Sequence, residues 1–266
     1  MTQHTANSFS LPIDGKTYTV VYEAAPHPKG KNKPAVLFLH GLHSDRFGGK
    51  IEAGKQWCAE NGVDFATLDY PCHGQSSGKF VDFTISHALL AARHIITKIL
   101  KKPVVVVGSS TGGWVALILA KALPKQVKGV VTVANACDFT EQLYWNPLPE
   151  AEKKAWQEKG YKVEPSWDGG EWHTGFNLIQ DGRKHLLFGG GLQHITCPVR
   201  LLHGTADKAV PWQTSIQVAE ELGGDDVQVL LAPHADHRFS TPENLAMLAE
   251  AIASVVHRAG GLFSLP

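Results

Sequence analysis

Residues 104–114 of this 266-residue chain read VVVVGSSTGGW, and no other stretch narrows the fold as much. Four successive valines make a wholly apolar, β-branched run, the pattern of a parallel strand buried on both faces. Gly108 to Gly112 read as a turn of the form G-x-S-x-G, with Ser110 at its centre. Gly113 to Ala122, rich in small and aliphatic residues, reads as a helix. A serine on such a strand-turn-helix has a strained backbone, and its hydroxyl stands above the sheet edge. Neighbouring segments must then approach closely, so Gly108 and Gly112 need side chains of almost no size. The backbone N–H of Thr111 is left pointing to where an oxyanion would form.

The bulk of the chain narrows the setting. Its length suits one α/β domain spanning 1–266, with hydrophobic content of 43% to fill a core. Twenty-five basic and 25 acidic residues cancel, which gives no reason to expect nucleic acid or an anionic membrane as partner. No apolar run reaches the roughly 20 residues of a membrane span. The start, MTQHTANSFSLPIDG, lacks the basic-then-apolar order of a signal peptide and the arginines of a transit peptide, so a cytoplasmic location is expected. Cys58, Cys72, Cys137 and Cys197 are far apart with no CxxC, which reads as free thiols in a reducing compartment rather than disulfides or a zinc site.

Taken in order, Thr17–Glu23 alternates as an edge strand, and Ala35–Leu39 is a buried parallel strand running into HGLHSD. Lys50–Glu60 reads as a helix, Asp64–Leu68 as a strand, and Asp82–Leu100 as a long helix with basic residues at its end. Val127–Val133 follows the elbow helix as another strand. From Asp138 to about Gly190 the composition changes. Four of the seven tryptophans, Trp145, Trp156, Trp167 and Trp172, fall there, and residues 138–190 read as a lid inserted over the sheet. Within it, Pro149–Lys159 suits one helix, with Gly160 just past its end. The tryptophans either pack among themselves or line an apolar acyl pocket. Strands at Val199–His203 and Val227–Leu231 bracket a helix at Trp212–Leu222. A last helix starts with Thr241 as cap and Pro242 at its first position. Alternating strands and helices give a mostly parallel sheet covered on both faces, with its chemistry at the carboxyl ends of the strands.

Three polar positions fall at those ends: Ser110, Asp207 in HGTAD and His237 in HADH. A serine hydroxyl is a poor nucleophile without a base at hydrogen-bond distance, and a carboxylate fixes that base's tautomer. Ser110 as nucleophile, Asp207 as acid and His237 as base follow the chain order such an elbow fold uses. Asp138 is the competing acid and His234 the competing base, while Asp236 adjoins His237 too closely to face its ring. The second oxyanion donor is assigned to the N–H of Leu42, in the loop after Ala35–Leu39, with His40 and His43 shaping that loop. Cys72 and Cys137 lie near strand ends but at no elbow, so they read as pocket-lining thiols, not nucleophiles. No metal-ligand spacing recurs, and neither metal nor cofactor is expected.

HGLHSD, LDYPCHGQSSG, VVVVGSSTGGW, CPVRLLHGTADKAVPWQTS and APHADHR succeed one another as in α/β-hydrolases. With NPLPEAEKKAWQEKG they resemble, over about Ala35 to Val256, the family of α/β-hydrolase domain-containing protein 10. The resemblance implies the α/β-hydrolase fold and a serine hydrolase acting on acyl esters and thioesters, including S-palmitoyl groups on protein cysteines and acyl glucuronides. It places nucleophile, acid and base on Ser110, Asp207 and His237. Thr111 departs from the aliphatic residue usual after the nucleophile. The organellar targeting segment of animal members is not seen in this chain. The expected substrate is therefore a small-molecule or acyl-protein ester or thioester. A carboxylesterase for small esters, or a C–C hydrolase or peptidase with the same triad, is the alternative. Nothing in the sequence sets oligomeric state.

Overall fold

A computed structural model describes residues 6–166 and 169–260, so Trp167 lies outside the described residues. The strands are β1 (Asn7–Ile13), β2 (Lys16–Ala25), β3 (Ala35–Leu39), β4 (Phe65–Leu68), β5 (Val104–Ser109), β6 (Val127–Val133), β7 (Tyr161–Pro165), β8 (Glu171–Gly175), β9 (Val199–Gly204) and β10 (Val227–Ala232). The α-helices are α1 (Gly49–Asn61), α2 (Ile85–His94), α3 (Thr111–Ala122), α4 (Glu150–Lys159), α5 (Phe176–Gly182), α6 (Gln213–Glu221) and α7 (Pro242–Ala259). Eight strands form one sheet in the order β1-β2-β4-β3-β5-β6-β9-β10. It is parallel from β4 onward, with β1 and β2 antiparallel at one side.

The valine run explains the layering. Side chains alternate across a strand. Val104 and Val106 therefore join the core that holds Trp114 and Leu117, while Val105 and Val107 join the core that holds Ile252 and Val255. All four valines are fully buried. A strand with apolar groups on both faces can only sit mid-sheet between helix layers.

Two local expectations change. Thr17–Glu23 lies within β2, which is not the edge: β1 pairs outside it, Ile13 opposite Lys16. The two-residue turn is Asp14-Gly15, with φ of 47° and 78°. That dipeptide, and the alternation of Phe9, Leu11 and Ile13, carried a hairpin signal. The long helix expected over Asp82–Leu100 is also divided. Thr84 caps α2 by accepting from the His87 N–H, so Phe80–Asp82 forms a separate short turn of 3-10 helix. Ile95–Leu100 then widens into a π-helical turn closed by Lys101 at φ 52°.

The elbow is tighter than a five-residue turn. β5 runs to Ser109, α3 starts at Thr111, and Ser110 alone makes the bend, at φ 55° and ψ −121°. A Cβ on Gly108 would lie 2.1 Å from the Gly112 carbonyl oxygen, and one on Gly112 would lie 2.3 Å from that of Leu39. Neither neighbour is a movable side-chain end. Gly112→Ala is therefore expected to cost about 3 kcal/mol, read as a fall of roughly 5–10 °C in Tm.

Between β6 and β9 the chain leaves the sheet. It contains α4, ended by Gly160 in the left-handed conformation, the β7–β8 hairpin and α5. Trp156 is buried, its indole N–H donating to the Thr174 carbonyl at 3.1 Å. Trp145 lies 5.4 Å from Phe176, centroid to centroid. Asp138 closes the base of this segment by accepting the backbone N–H groups of Leu187 and Phe188. The Asp181 carboxylate ties the segment to α2 through the N–H and hydroxyl of Ser86, at 2.7 and 2.9 Å.

Candidate active site

Ser110 sits at the carboxyl edge of the sheet with its backbone fully engaged. Its N–H donates to the Val133 carbonyl at 2.9 Å, and its own carbonyl accepts from Ala136 at 3.1 Å and Gly113 at 2.8 Å. A strained residue persists when the surroundings over-determine it in this way. Thr111, first in α3, has no intrahelical acceptor for its N–H. Beside Ser110 opens a cavity of about 920 Å³, walled also by His40, Gly41, Leu42, Lys50 and His237. Trp145, Trp156 and Trp172 do not line it; those three pack within or beneath the inserted segment.

The loops after β9 and β10 meet behind the cavity. The N–H of Thr205 donates to the Ala232 carbonyl and that of Ala206 to the Ala235 carbonyl, each at 3.0 Å. This lacing brings His237 Nδ1 to 2.7 Å from Asp207 Oδ2. Asp207 Oδ1 accepts the backbone N–H groups of Ala209 and Val210 at 2.8 and 2.9 Å. Burial alone would raise the Asp207 pKa. Hydrogen bonds from His203, His237 and the Val210 N–H outweigh it and hold the carboxyl well below the usual carboxylate range. A carboxylate there makes His237 carry its proton on Nδ1, which leaves the Nε2 lone pair free to take a proton from the cavity side. Ser110 and His237 line the same cavity, with no hydrogen bond joining them among the described residues.

The competing residues are engaged elsewhere. Asp138 bonds Leu187 and Phe188. Asp236 turns its carboxylate onto the N–H groups of Arg238 and Phe239, at 3.0 and 3.2 Å. His234 is exposed, and its N–H donates to Thr205 Oγ1. Cys72 and Cys137 are buried and line no part of the cavity, and burial pushes the Cys72 thiol up to about 12. All four cysteines are free. Among the described residues, no group of three or more His, Cys, Asp or Glu side chains is arranged to hold a metal ion.

The loop after β3 leans on the elbow: a Cβ on Gly41 would lie 3.2 Å from the Ser110 Cβ. His40 fixes this loop from below. Its Nδ1 faces the Gly41 carbonyl at 2.7 Å and its Nε2 accepts the Tyr70 N–H at 3.3 Å, which is the neutral ring protonated on Nδ1. Burial lowers its pKa to about 4. His43 is packed between Phe80, at 4.0 Å, and Trp172, at 3.8 Å and nearly parallel. Burial lowers its pKa to about 3, and His73, itself driven well below the ordinary range by burial, adds to this. These rings shape the loop and stay neutral, as expected of His40 and His43.

That neutrality has a cost in acid. His40, His43 and His73 each have a folded pKa below the unfolded value near 6.5. Below that pH the unfolded chain binds a proton that the fold refuses, so stability falls as pH drops from about 6.5 toward the folded pKa. His40 and His73 should each add a slope of about 1.4 kcal/mol per pH unit between roughly pH 6 and 4.5. Thermal melts across that interval should fall steeply, before the carboxylates protonate, and His40→Gln should flatten the slope.

A domain of this topology, with a serine on a one-residue elbow and a carboxylate-held histidine on the same cavity, is an α/β-hydrolase. The chain belongs to the alpha/beta hydrolase family, whose profile matches residues 36–250. It is 33% identical to the bovine (Bos taurus) palmitoyl-protein thioesterase ABHD10, mitochondrial, over 232 residues, 86% of this chain and 75% of the relative. The structure of mouse alpha/beta hydrolase domain-containing protein 10 superposes with a TM-score of 0.80 at 29% identity, covering 94% of this chain and 98% of that one. A crystal structure from Agrobacterium vitis S4 superposes with a TM-score of 0.86 at 30% identity, covering 94% and 98%. The resemblance drawn from the motifs therefore holds over most of the chain. No helix among the described residues is long and apolar enough to cross a membrane.

Proposed function

We propose that this hydrolase cleaves acyl esters and acyl thioesters through a Ser110–His237–Asp207 triad. The observation that carries the reading is the His237 imidazole, locked at 2.7 Å on a buried carboxylate while lining the cavity that Ser110 enters. His237 Nε2 takes the Ser110 proton as Oγ adds to the acyl carbonyl carbon. The N–H groups of Thr111 and Leu42 stabilise the resulting oxyanion; losing one such donor typically costs about 10²–10³ in rate. His237 returns the proton to the departing thiolate or alkoxide, then activates water against the acyl-enzyme.

The substrate class is read from the relative's name, palmitoyl-protein thioesterase, and from apolar walls at Phe38, Leu42, Phe47 and Ile51. The volume is within the range of small-molecule sites. The segment 138–190 is read as a lid. It enters between β6 and β9, and its Trp172 stacks on His43 of the oxyanion loop. A cytoplasmic location belongs to the same reading; the four free thiols fit any reducing compartment, the bovine relative is designated mitochondrial, and fractionation of source cells decides between them. The reaction test is a panel of p-nitrophenyl esters of rising chain length, S-acyl thioesters, peptides and C–C bonded diketones. Esters and thioesters should turn over with the highest kcat/KM. Turnover confined to peptides or diketones contradicts the proposal.

A further inference from the structure

Behind the acid lies a second histidine that the triad does not use. His203, the fifth residue of β9, is fully buried. Its Nε2 stands 3.2 Å from Asp207 Oδ2, the same oxygen that His237 engages, and 3.1 Å from the Val210 carbonyl. Both neighbours are acceptors, so Nε2 carries a proton. Its Nδ1 lies 2.8 Å from Ser215 Oγ, which in turn accepts from Asn135 Nδ2 at 2.8 Å. With an amide N–H entering the hydroxyl oxygen, the Ser215 proton points at His203 Nδ1. Every bond then runs one way: Asn135 to Ser215 to His203 to Asp207. Ser215 and Asn135 are also fully buried.

The far end of this chain reaches the elbow. Asn135 lies between Ala134, whose N–H donates to the Leu202 carbonyl, and Ala136, whose N–H donates to the Ser110 carbonyl at 3.1 Å. A Cβ on Gly113 would lie 2.9 Å from the Asn135 Cβ, so the first turn of α3 presses on it. The segment that holds the nucleophile thus also holds the first donor of a line ending on the acid.

We infer that Asn135, Ser215 and His203 form a positioning relay that fixes the Asp207 carboxylate relative to Ser110 and shares the oxygen that holds His237. The inference rests on the triad reading above. His203 takes part of the charge that Oδ2 would otherwise offer to His237 alone. Through it the relay sets how strongly the imidazolium is stabilised. The titratable groups that face Asp207 are His203 from β9, His237 from the loop after β10 and, at longer range, Lys50 from α1.

The relay is tested by following the histidine ring nitrogens of the ¹⁵N-labelled protein by NMR through pH 5–9. His203 should carry its ring proton on Nε2, facing Asp207 Oδ2 and the Val210 carbonyl, with Nδ1 unprotonated toward Ser215. An imidazolium at His203, which the reversed Asn135 amide would require, or an Nδ1-protonated ring overturns the inference. In His203→Leu the undivided Oδ2 charge should stabilise the His237 imidazolium further, so the acid limb of kcat/KM should move up by about half a pH unit or more, with kcat falling several-fold and KM unchanged. His203→Gln keeps an N–H at the Nε2 position and should restore most of the shift. An unmoved His237, or Gln displacing it as much as Leu does, contradicts the relay. Should His203→Leu not fold, the ring-nitrogen measurement on the unsubstituted protein decides. That readout needs no turnover: an inactive wild-type enzyme would sink the hydrolase proposal and leave the relay to stand or fall separately.

Discussion

Ser110→Ala is expected to lower kcat/KM for an acyl thioester by about 10⁴–10⁶, with KM nearly unchanged and Tm within about 2 °C of wild type. The hydroxyl carries no fold. The backbone of Ser110 is held by Val133, Gly113 and Ala136, and those bonds do not involve the side chain. Alanine suffers the same left-handed strain as serine, so the bend survives. What disappears is the oxygen proposed to attack. The residue of rate above the uncatalysed reaction should come from oxyanion donors and substrate binding. A loss of activity accompanied by unfolding would make the serine structural instead.

Asp207→Asn should be nearly as damaging, by about 10⁴ in kcat, and for a different reason. The carboxylate accepts from four donors: His203 and His237 on one oxygen, Ala209 and Val210 on the other. An amide has one acceptor oxygen; held by the fixed N–H groups of Ala209 and Val210, it turns its NH₂ group toward the two histidines. His237 then relaxes by moving its proton to Nε2, the position from which it must accept. The buried His203 Nε2–H then keeps only the Val210 carbonyl as acceptor, at a cost of about 1–3 kcal/mol. Asp138→Asn is the control. Among the described residues that carboxylate bonds the backbone of Leu187 and Phe188 and, at 3.6 Å, Cys137 Sγ. It should loosen the base of the inserted segment and spare most of the chemistry. If Asp138→Asn abolished turnover and Asp207→Asn did not, the acid would have been misassigned.

The parts of the fold that read cleanly from sequence are those where one physical requirement leaves few solutions. A four-valine run must be buried on both faces, and β5 is mid-sheet. A G-x-S-x-G after such a run needs two positions without side chains, and the carbonyls of Gly112 and Leu39 fill the space that side chains would occupy. That Asp207 and His237 would meet was legible because each follows a strand at the carboxyl edge. Expectations departed where short-range polarity decided the outcome. Thr84 with His87 makes a capping box that starts α2 three residues later than the charge pattern of Asp82 suggested. The hairpin of β1 is written in Asp14-Gly15 and in the alternation of Phe9, Leu11 and Ile13, but Ser8, Ser10 and Pro12 on the opposite face lower the apolar content of the run. His203 was hidden by its place inside an apolar strand, where only the four-residue spacing to Asp207 hints at contact. The tryptophans carried no positional information: a ring cluster has the same composition whether it packs on Phe176 or walls a pocket.

The most direct measurement is covalent trapping. Wild-type protein incubated with a fluorophosphonate and digested should yield one modified peptide, with the adduct on the residue 110 hydroxyl. Prior protonation at low pH or the Asp207→Asn change should slow its formation. An adduct on any other serine, or none on folded protein, would contradict the assignment of that hydroxyl as the attacking group.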